Sequence, residues 1–213
     1  MRNSWFVSIL MLLLAGCVSI RPQHIARDKS QVMVRASRVA AYVPPETSHL
    51  FKATLDIRKH HLTGLLMIKK MGDCPGTYRI VFMNEIGMTF FDLELKPDSL
   101  RVVSCFASLN KKALLKIIET DFRVLTCPGS LTDEHPYRQE GTGNLVVSGK
   151  SGKYKIWNTW SPAGDTLYST AVKSTIADPA NIRFDKYSDG FPVKISIENP
   201  FIGMKISLRK LAK

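Results

Sequence analysis

Four cysteines, five histidines and one Gly-Lys-Ser triplet are the residues of this 213-residue chain whose types invite a search for chemistry. Gly149-Lys150-Ser151 has the ending of a phosphate-binding loop. That loop needs four residues between its two glycines, whereas five separate Gly143 from Gly149, and strand signals flank the triplet where a helix should follow. A hairpin turn over residues 148–152 is the expected structure. His60-His61 cannot both face one metal if they lie on a strand, because adjacent side chains point to opposite faces; a solvent-exposed turn pair is expected instead. His24, His49 and His135 read as loop residues without carboxylate partners. The chain has no G-x-S-x-G, no H-E-x-x-H and no cysteine pair at metal spacing. The expectation is therefore a protein that is not an enzyme and carries no cofactor and no metal.

Cys17 stands apart from the other cysteines. Arg2 is followed by an apolar run from Trp5 to Leu14 broken only by Ser8, and Ala15-Gly16 supply small residues before Cys17. This is the layout of a secretory signal peptide, well short of the roughly 17–25 apolar residues that span a bilayer. Leu14-Ala15-Gly16-Cys17 also matches the lipobox of bacterial lipoproteins. That resemblance implies cleavage before Cys17 and lipid attachment to its sulfur, palmitate included. Residues 1–16 are then a signal peptide, and 17–49 a lipidated N-terminus and tether. Stable anchoring takes more than one acyl chain, at about 0.8 kcal/mol per buried CH2, and a multiply acylated cysteine meets that need. Val18, where some bacteria read Asp as an inner-membrane signal, favours the outer membrane, with the domain facing the periplasm.

Without residues 1–16 the chain keeps 29 Lys and Arg against 18 Asp and Glu, a net charge of +11 over 197 residues. That length suits one domain, and 45% hydrophobic residues exclude a disordered chain. An exported, anchored protein has no nucleic acid to meet, so the basic balance points to anionic lipid headgroups or acidic glycolipid, or to a solvated basic surface. Cys74, Cys105 and Cys127 permit one disulfide, and nothing in their spacing selects the pair.

The elements that must position any site begin near residue 50. A short helix is expected within 31–41, ended by Pro44-Pro45. Phe51, Ala53, Leu55 and Ile57 then alternate with Lys52, Thr54, Asp56 and Arg58, which is a half-buried strand. Further strands are expected over 62–69, 77–83, 88–95 and 100–106, joined by short turns into a meander. The period changes to 3.6 where Leu114, Leu115, Ile117 and Ile118 form a stripe continuing to Phe122, with Ser108 or Asn110 as the cap. Residues 126–143 read as a long loop. Strands resume over 144–148, 154–160, 166–174, 182–187, 193–197 and 204–209. The fold class is mainly β (α+β): a strongly curved antiparallel sheet of about 11 strands, an open half-barrel with a helical lid over residues 50–213.

The segment YRIVFMNEIGMTFFDLEL, residues 78–95, with its Asn84-Glu85-Ile86-Gly87-Met88-Thr89 turn, resembles LolB, an outer-membrane lipoprotein family that receives other lipoproteins from a periplasmic carrier. The order of the remaining elements is also similar, whereas Leu125-Thr126-Cys127-Pro128-Gly129 replaces the family's second helical stretch. The resemblance implies a LolA/LolB-like half-barrel whose apolar concave face binds lipid or lipoprotein acyl chains and assists their delivery. A periplasmic LolA-like carrier is an implied partner, and the protein is expected to be a monomer. Ile86 is the candidate membrane-contact residue. Candidate cavity residues are Leu55, Ile57, Leu66, Ile68, Ile80, Phe82, Phe91, Leu93, Trp157 and Ile195, which any half-barrel also needs as core. The alternative is a non-catalytic accessory or scaffold lipoprotein of an envelope complex.

Overall fold

In a computed structural model of the chain, the described residues are 25–26, 48–72, 76–126, 131–151, 154–173, 180–188 and 191–211. Cys17, the apolar leader and the helix expected within 31–41 lie outside them, as do Cys74 and Cys127. A two-residue strand β1 (Ile25–Ala26) precedes a meander of β2 (Ser48–Ile57), β3 (His60–Lys70), β4 (Tyr78–Met83), β5 (Thr89–Leu95) and β6 (Leu100–Cys105). Helix α1 (Lys112–Thr126) follows. A second meander runs through β7 (Thr132–Gln139), β8 (Leu145–Ser151), β9 (Tyr154–Trp160), β10 (Leu167–Lys173), β11 (Ala180–Ser188), β12 (Phe191–Asn199) and β13 (Met204–Lys210). β13 returns to pair with β2, joining both meanders into one antiparallel sheet in the order β1-β7-β8-β9-β10-β11-β12-β13-β2-β3-β4-β5-β6. Among the described residues β1 and β6 are its two edges, so the sheet is open.

Alternation sets which face is apolar. On β2, His49, Phe51, Ala53, Leu55 and Ile57 are buried, and their neighbours are exposed or half-buried. Register carries the same face across the sheet: Phe51 pairs Leu66, Leu66 pairs Phe82 and Phe82 pairs Phe91. In the other direction Leu55 pairs Ile206, Ile206 pairs Ile197 and Ile197 pairs Ile182. The outer face holds the charges, where Arg79 grips Asp92 with two hydrogen bonds of 2.9 and 2.6 Å and Arg101 binds Glu94.

Helix α1 fills the concave face. Leu114, Ile118, Phe122 and Leu125 recur at i, i+4, i+8 and i+11 and are buried in the same core cluster as the strands. Phe122 meets Phe91 of β5 edge-on at 6.4 Å, and Thr120 bonds the Tyr154 hydroxyl of β9 at 3.0 Å. β5 and β9 are eight strand positions apart, about 38 Å on a flat sheet. Two residues so close on one helix reach both strands only because the sheet curls round it. Gly64 lets β3 and the end of β4 meet closely: a Cβ there would stand 2.0 Å from the Met83 carbonyl oxygen, an atom of the backbone that cannot rotate away.

Several local expectations are corrected. Residues 132–139 form strand β7 rather than loop. Its sequence, TDEHPYRQ, buries no face, contains Pro136 and has a register shift between Thr132 and His135, so no alternation marks it. β1 pairs with β7 inside the expected tether, and β2 begins at Ser48, two residues before the expected boundary. With β1 and β7 the strands among the described residues number thirteen. His60 and His61 open β3, and the turn is Arg58-Lys59, with Arg58 at φ 52°. β8 continues to Ser151, so Gly149-Lys150-Ser151 is strand. The helix runs four residues past Phe122, and among the described residues neither Ser108 nor Asn110 caps it through its side chain.

Candidate functional site

One end of the sheet collects the features that bear on function. Pairing of Ile57 with His60, of Leu65 with Met83 and of Ile57 with Met204 places the β2–β3, β4–β5 and β12–β13 turns there together. The β6–α1 connection joins them, since the Phe106 amide donates to the Phe90 carbonyl at 2.8 Å. The Arg58 amide donates to the Gly203 carbonyl at 3.3 Å, tying two of the turns to each other.

Ile86 caps the β4–β5 turn and is 90% exposed. The turn is built by Asn84, whose Oδ1 accepts from the amides of Met88 at 2.7 Å and Ile86 at 3.2 Å. Gly87 takes the φ of 89° that the reversal requires. A side chain of this size so exposed gains nothing from folding, and the hydrogen-bonded turn holds it out in solvent. Met88, Phe106 and Phe201 are exposed at the same end, Phe201 by 65%.

Among the described residues, two grooves flank the first half of α1 and share Ala113 as a wall. The smaller, about 410 Å³, has an apolar floor of Ile57, Leu109, Leu114, Ile117 and Ile202, with Arg58, Lys59, His60 and Lys111 around it. The larger, about 920 Å³ and more open, runs along Leu100, Val102 and Leu115 and carries charges of both signs at Asp98, Lys112, Lys116 and Glu119. Both volumes lie in the roughly 300–1,000 Å³ range of small-molecule sites. Burial alone would raise the Glu119 carboxyl, but hydrogen bonds from Lys116 at 2.7 Å and Arg123 at 2.9 Å outweigh it and hold the group below its ordinary value.

The far half of α1 is fastened. Arg123 donates to the carbonyls of Lys96, at 2.7 Å, and Pro97 in the β5–β6 turn, and the Tyr78 hydroxyl reaches the Thr126 carbonyl at 3.5 Å. Asp121 is fully buried in this half, neither carboxylate oxygen has a hydrogen-bond partner among the described residues, and burial pushes its carboxyl up to about 8.

Of the expected cavity residues, Leu55, Leu66, Ile68, Ile80, Phe82, Phe91, Leu93 and Ile195 are at most 2% exposed and belong to the close-packed core. Ile57 also borders the smaller groove. Trp157 lies on the opposite face from Ile156 and Trp160, with Lys155 and Lys173 over its ring at 4.9 and 5.4 Å. Period two decides this: inward residues of β9 are the even-numbered ones. The histidines differ from expectation as well. His49 is buried on β2 and stacks on Phe191 at 4.4 Å, His61 bonds Asp56 on the facing strand, and His135 lies 3.2 Å from Asp133. Burial raises the Cys105 thiol above its ordinary value, away from the reactive thiolate. Among the described residues no three His, Cys, Asp or Glu side chains converge as a metal site would need, and no helix is long and apolar enough to cross a membrane.

Sequence reasoning missed the basic rim and the residues Leu109 and Ile202. One signal was available: Lys111 and Lys112 stand at the start of α1, where positive charge opposes the helix dipole and is ordinarily avoided.

No protein-family model and no curated protein matches the chain in sequence. Among solved structures, a DUF1329 family protein from Desulfovibrio piger aligns over 84% of this chain and 88% of its own, with 13% identity and a TM-score of 0.45. A domain from Vibrio parahaemolyticus, described as that of an outer membrane lipoprotein-sorting protein, aligns over 78% of this chain and 83% of its own, with 11% identity and a TM-score of 0.42.

Proposed function

We propose that the protein is an outer-membrane lipoprotein that binds lipid or the acyl chains of other lipoproteins and assists their delivery, without covalent chemistry. The observation that carries this reading is Ile86, held 90% exposed on a hydrogen-bonded turn at the same end of the sheet as the mouth of an apolar groove. An isoleucine side chain gains roughly 1.5–3 kcal/mol on full burial, which in this reading is realised only when the turn touches a membrane or an acyl chain. Cys17 would keep the domain at the bilayer, and a bound chain would pass between groove and membrane over a short distance. In this reading the protein acts as a monomer and a periplasmic LolA-like carrier supplies the acylated cargo.

Depletion in cells tests the reading. Lipoproteins should then accumulate in the periplasm or inner membrane, and an Ile86→Glu allele should reproduce the defect at normal protein level. Unchanged sorting after depletion would sink the trafficking role.

One observation favours a second reading, a scaffold in an envelope complex. Among the described residues β6 is an open sheet edge, and Val102, Val103 and Phe106 are exposed along and beside it. Such an edge can accept a strand from a partner. Stoichiometric co-purification of a protein that Val103→Lys releases, with sorting normal, would decide for the scaffold.

A further inference from the structure

The two grooves differ in charge. The larger is lined by Asp98 and Glu119 as well as lysines, and its Lys116 is paired to Glu119. Among the described residues no carboxylate lines the smaller one, yet Arg58, Lys59 and Lys111 come to it from two separate segments, the β2–β3 turn and the start of α1. Among the described residues none of these three cations has an ion-pair partner. The carboxylate nearest in sequence, Asp56, faces the other side of β2 and is held by His61. α1 adds to the same field, because its first turn contains no acidic residue and its positive end is left uncompensated. Keeping like charges together beside an apolar floor costs stability, and an anion bound there would offset that repulsion. The apolar floor of Ile57, Leu114 and Ile117 accounts for an alkyl chain and not for a bare anion.

We propose that this groove selects an anionic amphiphile, with its alkyl chain along Ile57, Leu114 and Ile117 and its negative headgroup among Arg58, Lys59 and Lys111. The inference rests on the lipid-binding reading above and narrows it to a charge class. A phosphate-bearing lipid and a fatty acid carboxylate share the chemistry required. The exposed Ile86 and Phe201 at the same end place the mouth where such a molecule would leave a bilayer.

The experiment uses the mature lipid-anchored protein in micelles of a neutral maltoside detergent. Dodecyl phosphate, dodecanoate, dodecylphosphocholine and inorganic phosphate are added at equal low concentration, and native mass spectrometry counts what stays bound. The anionic amphiphiles should bind at least tenfold more than dodecylphosphocholine, and their ratio to each other tells phosphate from carboxylate. The triple variant Arg58→Gln, Lys59→Gln, Lys111→Gln should abolish that preference. Ala113→Trp, on an exposed helix position bordering the groove, should remove bound alkyl chains altogether. Equal binding of anionic and zwitterionic chains, or a preference that survives the triple variant, overturns the inference and leaves lipid binding standing. Inorganic phosphate binding as well as dodecyl phosphate also overturns it, in favour of a simple anion site. Retention of no alkyl amphiphile of any charge overturns this inference and the lipid-binding reading together.

Discussion

Two single residues show how differently a side chain can be at odds with its surroundings. Ile86 is apolar and in water; Asp121 is acidic and in the core. The first costs the fold almost nothing, because the turn is held by Asn84 and not by Ile86. Ile86→Glu should therefore change unfolding free energy by no more than about 0.5 kcal/mol in urea, while abolishing cargo transfer to vesicles. Asp121 does cost stability, and the sign follows from linkage. Its carboxyl titrates near 8 in the folded chain and near 3.9 when unfolded. Between those values the native state holds a proton that the unfolded state has lost, so stability falls as pH rises through this window, by about 1.4 kcal/mol per pH unit from this group. Asp121→Asn removes that slope. Melting curves from pH 5 to 8 should show the variant gaining on the parent as pH rises; parallel curves would mean the carboxyl is solvated.

At the scale of elements, β3 and β4 meet where only a glycine fits. Gly64→Ala would drive a methyl group against the Met83 carbonyl and should cost about 1–3 kcal/mol, read as a lower denaturant midpoint with an unchanged slope. An unaltered midpoint would mean the strands shift apart freely. Much of this level was legible in the chain. β2 and β13 announce themselves through strict alternation, and α1 through its stripe at Leu114, Ile118 and Phe122. β7 was not legible, because a strand with no buried face has no pattern to show; only its pairing with β8 defines it. Trp157 was placed on the wrong face because Ile156, one residue away, and Trp160, three away, are just as apolar.

For the whole molecule the decisive question is which apolar residues α1 covers. Phe82 and Phe91 are fully covered, so Phe91→Glu should unfold the protein rather than empty a cavity, and even Phe91→Ala should cost about 3–5 kcal/mol. Ile117→Glu, at a half-buried groove position, should leave circular dichroism and the melting temperature near those of the parent while reducing bound lipid. If both substitutions spared the fold and lost lipid equally, the core itself would be the cavity and the grooves incidental.

The chain by itself determined most of the faces, with β7 and Trp157 as the exceptions. Alternation in strands and a 3.6-residue stripe in the helix are local, and register between strands merely lines them up, so a curved sheet with one apolar side and a helix to lie on it followed from residue order alone. Which part of that side is packed and which is open was decided by the tertiary structure. A groove is the difference between the space a curled sheet encloses and the volume of the helix within it. Neither quantity is a property of any short segment. The same holds for the end of the sheet where Arg58, Lys59, Ile86, Lys111 and Phe201 meet, since the longest gap between them, from Lys111 to Phe201, is crossed by the curling of the sheet and not by the chain.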